Sequence, residues 1–272
     1  MFTLPLLSTI ALTPFFISST NAHGYSSNPI ARQTKCFEDG GFNYPPDGSA
    51  IPNDACREAF KKSGVYQFTQ KQEFSMNVEN YHDINSVKEK ISDGNLCSAG
   101  DMKKSGMNVV SDTWYKNDIN VDKDGHFEIN LQFCATATHN PSYWEVYLSK
   151  EDYNSGIHPL NWDNLVLIKT ITDIKAKDGK IPHCETSQYY EFAVDNLDYP
   201  ILDSHENAIL YLRWQRVDPA GEGFYNCLDV NFKKDTPPTP PSDITIKLTN
   251  EQIVDLQGKL CNNYDHPVHN EL

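Results

Sequence analysis

The stretch "HFEINLQFCATATHNPSYWEVYLSK" (residues 126–150) is the part of the sequence that decides the fold. Its first part, residues 126–138, and its last part, residues 143–150, alternate apolar and polar side chains and are rich in β-branched and aromatic residues. A repeat of two residues places successive side chains on opposite faces of an extended chain, so it is typical of a strand with one buried face. The stretch therefore predicts two β-strands.

Further segments continue this pattern towards the C-terminus. They are "LVLIKTITDI" (165–174), "QYYEFAV" (188–194), "AILYLRWQRV" (208–217) and "FYNCLDVNF" (224–232). Turn-forming clusters such as "DKDG", "KDGK" and "DPAGEG" separate the segments. Several short strands interrupted in this way predict an all-β fold, an antiparallel β-sandwich of immunoglobulin-like or fibronectin III-like build.

Residues 30–106 have a different character. They are rich in Gly, Pro and Asn, and short helical patterns occur only near "NDACREAFKKS" and "DINSVKEKI". We expect a long excursion of loops and short helices attached to the sandwich. Long structured loops of this kind often carry the functional residues of a domain.

The first 22 residues have the features of a secretory signal. They contain no charged side chain, and the apolar run from Leu4 to Ile17 is interrupted by prolines and is too short to span a membrane. Thr20 and Ala22 supply the small residues that a signal peptidase requires. We therefore expect residues 1–22 to be a cleaved signal peptide, so that the mature chain enters the secretory pathway and begins at His23.

The net charge limits the partners that the chain can bind, and the cysteines indicate the compartment in which it folds. The chain has 23 Lys plus Arg against 37 Asp plus Glu, which gives a net charge of −14. A chain of this sign cannot neutralise nucleic acid or an anionic membrane, so we expect neither partner and favour a neutral or insoluble one. Seven cysteines in a secreted chain predict disulfides, and the odd number leaves one cysteine over.

Residues 235–272 follow the last predicted strand and form a C-terminal extension. "DTPPTPPSD" (235–243) predicts a semi-rigid spacer. The following "TNEQIVDLQGKLC" contains a capping box and a helical stripe of Ile253, Leu256 and Leu260, too few apolar residues for a core of their own. Two interpretations remain open: a tail that packs on its own domain, or an arm that docks on a neighbouring molecule.

His23 has a chemical role if it becomes the first residue. A free α-amine has a pKa near 7.7–8.0, so much of it is unprotonated near neutrality. The amine and the ring Nδ1 of one histidine can then close a chelate on a metal ion, and one further imidazole completes a T-shaped set of nitrogen ligands that suits copper. Taken by itself, a histidine in this position is more often an accident of the cleavage site.

Five segments, in order, resemble the bacterial and viral type of lytic polysaccharide monooxygenase, a family long called chitin-binding proteins. Ala31 stands where this family more often has Ser, and the resemblance covers residues 23 to about 234. The segments are "HGYSSNPIAR" (23–32), "ISDGNLCSAGD" (91–101), "FCATATHNPSYWEVYLSK" (133–150), "PLNWDNLVLI" (159–168) and "LYLRWQRVDPAGEGFYNCLDVNF" (210–232).

The resemblance implies a set of site residues. His23, through its amine and Nδ1, and His139, through its ring, would bind one copper ion per chain. Phe224 would close one axial side of the ion, and Ala137 would limit the space on the other. Glu222 would lie near the oxygen-binding side, and Tyr25 is a plausible substrate-binding contributor.

The resemblance also implies how the cysteines pair. The expected disulfides are Cys36–Cys56, Cys97–Cys227 and Cys134–Cys184. Cys261, in the C-terminal extension, would then remain for an intermolecular bridge, which favours the arm over the tail.

The extension itself resembles that of the fusolins, the spindle-forming proteins of insect poxviruses. The final "HNEL" differs at one position from an ER-retention signal, so the lumen of the endoplasmic reticulum, vesicles derived from it, or the extracellular space is the expected location.

Three functions are compatible with these observations. The first is oxidative cleavage of glycosidic bonds in crystalline chitin, or cellulose, with an external electron donor and O2 or H2O2. The second is non-catalytic chitin binding, and the third is a structural spindle protein that assembles as a homo-oligomer through its arm.

Overall fold

The computed structural model describes residues 22–40, 47–202 and 205–234. These residues belong to the unit formed by residues 1–235, and the second unit, residues 236–272, lies outside the described ranges. The predicted spacer, the predicted arm with Cys261 and nearly all of the predicted signal peptide therefore lie outside the described residues.

The described chain contains ten strands. They are β1 His23–Asn28, β2 Ser75–Asn77, β3 Asn117–Val121, β4 Glu128–Ala137, β5 Ser142–Ser149, β6 Leu165–Thr172, β7 Lys177–Asp178, β8 Gln188–Asp195, β9 Ala208–Arg216 and β10 Glu222–Lys234. Four α-helices lie in the excursion: α1 Arg32–Glu38, α2 Asp54–Ser63, α3 Tyr66–Thr69 and α4 Ile84–Lys90. Short 3₁₀ helices occur at Leu96–Ser98, Met102–Asn108 and Trp162–Asn164.

The strands form two sheets. One has four strands in the order β1-β4-β8-β7, and the other has six, in the order β2-β10-β9-β5-β6 with β3 also paired to β10. All pairs are antiparallel except β3 with β10. The predicted antiparallel β-sandwich with a loop and short-helix excursion is confirmed.

An aromatic core fills the space between the two sheets. Trp144 of β5 and Trp214 of β9 stack in parallel with their ring centres 5.3 Å apart. Phe133 and Tyr190, from the facing four-stranded sheet, pack against both indoles at 4.9–5.3 Å. Because all four rings are fully or almost fully buried, they remove a large apolar area from water and hold the two sheets together.

The excursion covers the outer face of the six-stranded sheet. Alternate residues of β9 face opposite ways, with Leu210, Leu212 and Trp214 in the core between the sheets and Ile209 and Tyr211 in a second core under the excursion. All nine residues of β9 are therefore buried, whereas a sandwich strand with one wet face would expose every second one.

Covalent and ionic links fix the excursion and the sheet edges. The structure contains the three disulfides that the resemblance implies, Cys36–Cys56, Cys97–Cys227 and Cys134–Cys184. Arg32 of α1 makes a two-pronged ion pair with Asp229 of β10, with nitrogen–oxygen distances of 2.5 and 2.7 Å, and both side chains are buried.

Within the described ranges, no helix is long and apolar enough to cross a membrane.

Candidate metal centre

The first residue of β1 and the last residue of β4 meet at one corner of the sandwich. His23 lies opposite Ala137 in the antiparallel register of these strands. His139 follows Ala137 by two residues and leaves the strand at the same corner. The fold thus brings the two predicted site histidines, far apart in sequence, to one end of the four-stranded sheet.

Tyr190 of β8 fixes the backbone of His139. Its hydroxyl accepts a hydrogen bond from the His139 amide at 2.9 Å and lies 3.1 Å from the His139 carbonyl, to which it donates. Burial raises the pKa of Tyr190, and the bond from the His139 amide offsets this only in part. The hydroxyl therefore stays protonated near neutral pH and can hold both backbone groups at once.

Asp218 holds the ring of His139. Its Oδ2 lies 3.0 Å from Nε2 of His139, and the guanidinium of Arg216 binds the same carboxylate at 2.6–2.8 Å. Burial alone would raise the pKa of Asp218, but the hydrogen bonds from Arg216 and from the Gly221 amide hold it below its usual value. An ionised Asp218 can accept a hydrogen bond from the Nε2–H of His139, which favours the tautomer that carries its proton on Nε2.

The other ring nitrogen of His139 is unpaired within the described part of the chain. Nδ1 is buried, and no hydrogen-bond partner for it exists among the residues that the structure describes. A buried polar atom left unpaired is costly and requires an explanation. A histidine that gives one nitrogen to a carboxylate and keeps the other free is the usual arrangement of a metal-binding histidine.

His23 is more accessible. Its side chain is 29% exposed, and its Nε2 lies 4.0 Å from Oε1 of Glu73. The ring of Phe224 packs edge-on beside it, with ring centres 6.2 Å apart and planes at 90°. In the full-length chain the backbone nitrogen of His23 is a peptide amide joined to Ala22, which is fully buried.

Phe224 and Glu222 stand side by side at the start of β10. Phe224 is buried and rests on Trp214, with ring centres 5.1 Å apart. Glu222 accepts hydrogen bonds from Ser75 at 3.0 Å and from Arg216 at 2.7 Å. Arg216 therefore joins Glu222 to Asp218 and, through Asp218, to His139.

These residues fit a nitrogen-bound metal ion such as copper. Within residues 22–40, 47–202 and 205–234, no three His, Cys, Asp or Glu side chains form a group that could hold a metal. An ion held by His23 and His139 therefore needs a third ligand that is not such a side chain. The α-amine that cleavage before His23 would expose is such a ligand, and two imidazoles with one amine suit copper.

One sequence prediction at this site is wrong. Tyr25 is fully buried, and its hydroxyl accepts a hydrogen bond from the Glu185 amide at 3.4 Å. Lys71 lies over the ring of Tyr25 at 5.1 Å and the Glu185 segment covers its hydroxyl, so Tyr25 is not available to contact a substrate. Three polar residues that the sequence prediction missed are Glu73, Arg216 and Asp218. Asp218 lies within "DPAGEG", whose composition indicates only a turn.

The sandwich and its corner site define a class of protein. Residues 23–230 match the family model described as "lytic polysaccharide mono-oxygenase, cellulose-degrading". That match covers more than half of the chain, and the chain therefore belongs to the lytic polysaccharide mono-oxygenase family.

Particular relatives refine this placement. The spindolin of Choristoneura biennis entomopoxvirus is 33% identical over 244 residues, which cover 78% of this chain and 70% of spindolin. The chitin-binding protein CbpD of Pseudomonas aeruginosa is 27% identical, over 83% of this chain and 52% of CbpD. The solved structure of fusolin spindles from Anomala cuprea entomopoxvirus is 30% identical with a TM-score of 0.70, covering 90% of this chain and all of that one.

Proposed function

We propose that this chain, once residues 1–22 are removed, is a copper-dependent mono-oxygenase that cleaves glycosidic bonds in crystalline polysaccharide, with chitin as the first candidate. The observation that carries the proposal is the His139 ring. One of its nitrogens lies 3.0 Å from Asp218, and the other is buried with no hydrogen-bond partner among the described residues, at the corner where His23 begins β1.

His23 and His139 would hold the ion. His23 contributes its free amine and Nδ1, and His139 contributes its unpaired ring nitrogen. When bound, copper would supply one-electron redox chemistry. With an external electron donor, this chemistry would allow O2 or H2O2 to oxidise a C–H bond at the glycosidic linkage. Asp218, Arg216 and Tyr190 keep the His139 ring and backbone in place, so that little reorganisation accompanies metal binding.

The neighbouring residues shape the space around the ion. Phe224 is held by Trp214 and has no ligating atom, so it excludes water from its side of the site. Ala137 has a small side chain at the facing strand end and leaves room there. Ser75 and Arg216 orient the carboxylate of Glu222. This carboxylate can accept a hydrogen bond from a protonated group that enters the exposed side of the metal site.

The net charge of the chain and its similarity to known proteins both support a substrate class. A net charge of −14 opposes anionic polymers, and chitin and cellulose carry no negative charge. The match to CbpD, which is a chitin-binding protein by name, supports chitin, whereas the description of the family model supports cellulose. Three disulfides support an oxidising compartment, such as the lumen of the secretory pathway or the extracellular space.

Product analysis tests the proposal. The mature chain, loaded with copper, is incubated with crystalline chitin or cellulose, a reductant and O2 or H2O2, and the soluble products are analysed by mass spectrometry. We expect oxidised oligosaccharides from one of the two polymers and none from a His139→Ala variant. Binding of the wild-type chain without oxidised products would instead support non-catalytic chitin binding.

A structural role is the second candidate. It is favoured by the similarity to fusolin, which was solved as spindles, and by Cys261, which is left over once the other six cysteines have paired. Assembly as a homo-oligomer through the C-terminal arm would give a disulfide-linked, crystalline store of the enzyme. Non-reducing electrophoresis of the wild type and of Cys261→Ser tests this role, because a covalent dimer lost in the variant supports it.

A further inference from the structure

A short segment crosses the end of the six-stranded sheet beside the candidate metal centre. It starts from β2, where Asn77 donates to the Ala220 carbonyl at 3.0 Å and the Val78 amide donates to the Gly221 carbonyl at 3.1 Å. Gly221 has a φ of +60°, and a Cβ there would clash with Val78 and Tyr81. Only glycine allows this approach, so the segment is held tightly over the turn that precedes Glu222.

The same segment is anchored a second time, by side chains of β5 and β9. The carbonyl of Tyr81 accepts hydrogen bonds from the Tyr143 hydroxyl at 3.3 Å and from the Arg213 guanidinium at 2.8 Å. Burial raises the pKa of Tyr143 to about 12, so its hydroxyl remains a donor at neutral pH. Residues 75–82 therefore form a rim that is fixed at both ends.

His82 lies exposed at the far end of this rim. Its ring packs on the buried ring of Tyr81 with centres 4.2 Å apart, and the ring of Tyr143 lies 6.4 Å away with its plane at 18° to the imidazole. Although both rings lie beside it, His82 is exposed, so part of the imidazole remains open to solvent. An exposed ring supported in this way offers an apolar surface and a polar edge.

The strand register places this ring near the site. Tyr143 and Gly223 both pair with Gln215, from opposite sides. Two strand spacings of about 4.8 Å put the backbone of Tyr143 about 10 Å from that of Gly223, next to Glu222. A polymer chain lying across this end of the sheet can therefore reach His82 and the metal centre together.

We propose that His82, supported by Tyr81 and Tyr143, is a substrate-binding residue that stacks on a sugar ring of the polysaccharide. This inference rests on the proposed function, because it takes a neutral polysaccharide as the partner. The polymer's sugar rings present apolar C–H faces, which suit the exposed ring of His82. Charged groups at this end, such as Glu222, Asp218 and Glu73, would provide hydrogen bonds but no such flat surface.

The test uses the copper-free mature chain, so that its readout does not depend on activity. Binding isotherms on crystalline chitin and, in parallel, on microcrystalline cellulose are measured for the wild type, His82→Ala, His82→Phe and His126→Ala. His126 is a matched control because it precedes β4 and lies about 30 Å along that strand from the metal centre. His82→Ala should weaken binding about three- to tenfold, whereas His82→Phe and His126→Ala should bind like the wild type.

The outcomes separate this inference from the proposed function. Equal binding of His82→Ala and wild type to the preferred polymer would overturn the role of His82 and leave the proposed function intact. Failure of the wild type to bind either polymer would overturn both. Copper affinity, measured in the same variants, should not change, since His82 does not take part in the contacts described for His23 and His139.

Discussion

Nε2 of His139 lies 3.0 Å from the carboxylate of Asp218, and the opposite ring nitrogen of the same histidine is buried with no partner in the described part of the chain. One nitrogen is therefore committed to an anion while the other remains available. A ligand fixed in this way binds a metal without first having to choose a tautomer or a ring orientation. Asp218 is thus a positioning residue for His139.

Asp218→Ala should lower copper affinity about 10- to 100-fold, because loss of a carboxylate behind a ligating histidine typically has this effect. Calorimetric titration of the copper-free mature chain measures it. Asp122→Ala is the matched control, since Asp122 is also a turn aspartate that accepts backbone N–H bonds but lies at the opposite end of β4. Unchanged affinity in Asp218→Ala would show that Asp218 does not position the ligand.

The buried ion pair between Arg32 and Asp229 should matter greatly for stability. Asp229→Asn leaves the Arg32 guanidinium buried without its counter-charge, which typically costs about 3–5 kcal/mol. Denaturant unfolding measures this loss. The exposed pair Lys233–Asp118 is the control, and Asp118→Asn should cost less than about 1 kcal/mol. Equal losses of unfolding free energy in the two variants would show that the buried ion pair does not stabilise the fold more than the exposed one.

The Cys97–Cys227 disulfide should stabilise more than Cys36–Cys56. The first closes 130 residues of sequence and the second 20, so the first removes more conformational entropy from the unfolded chain. Loop-closure entropy gives about 5 and about 3 kcal/mol respectively. Denaturant unfolding of the two paired Cys→Ala variants compares them, and an equal or reversed order would contradict the entropic account.

Alkaline pH should destabilise the folded chain. Burial raises the pKa of Tyr143 and Tyr225 to about 12 from an ordinary value of 10.0, and it raises that of Tyr147, Tyr153 and Tyr211 as well. The folded chain therefore holds these protons more tightly than the unfolded chain does. Their contribution to stability is complete below pH 10 and is lost as the pH rises from 10 towards 12.

Thermal unfolding across this pH range, with tyrosinate absorbance recorded in parallel, checks the prediction. The midpoint should fall above pH 10, and most tyrosinate absorbance should appear only on unfolding. A midpoint that stays constant up to pH 12 would show that the buried hydroxyls do not govern alkaline stability.

The sequence pattern was sufficient for most of the sandwich. Alternation in residues 126–138 and 143–150 marks β4 and β5 because each strand has one face in the aromatic core. The short strands β1 and β2 were not predicted, since "HGYSSN" and "SMN" carry no alternating apolar pattern. Their pairing depends on partners far away in sequence, which a local pattern does not reveal.

The candidate site was predictable only where the resemblance supplied residues. His23 packs beside Phe224, and His139 is linked to Glu222 through Asp218 and Arg216, but Tyr25 is fully buried. Asp218, Arg216 and Glu73 could not be singled out, because their importance comes from distances that only the folded chain defines.

The most direct test of the metal centre compares the chain that begins at His23 with one that retains Ala22. Copper titration and electron paramagnetic resonance are recorded for both, each with and without His139→Ala. The chain that begins at His23 should bind one copper ion tightly through nitrogen ligands and lose that affinity when His139 is replaced, whereas in the longer form replacement of His139 should change little. Equal affinity and equal dependence on His139 in both forms, or no tight binding in the shorter form, would contradict the proposed site.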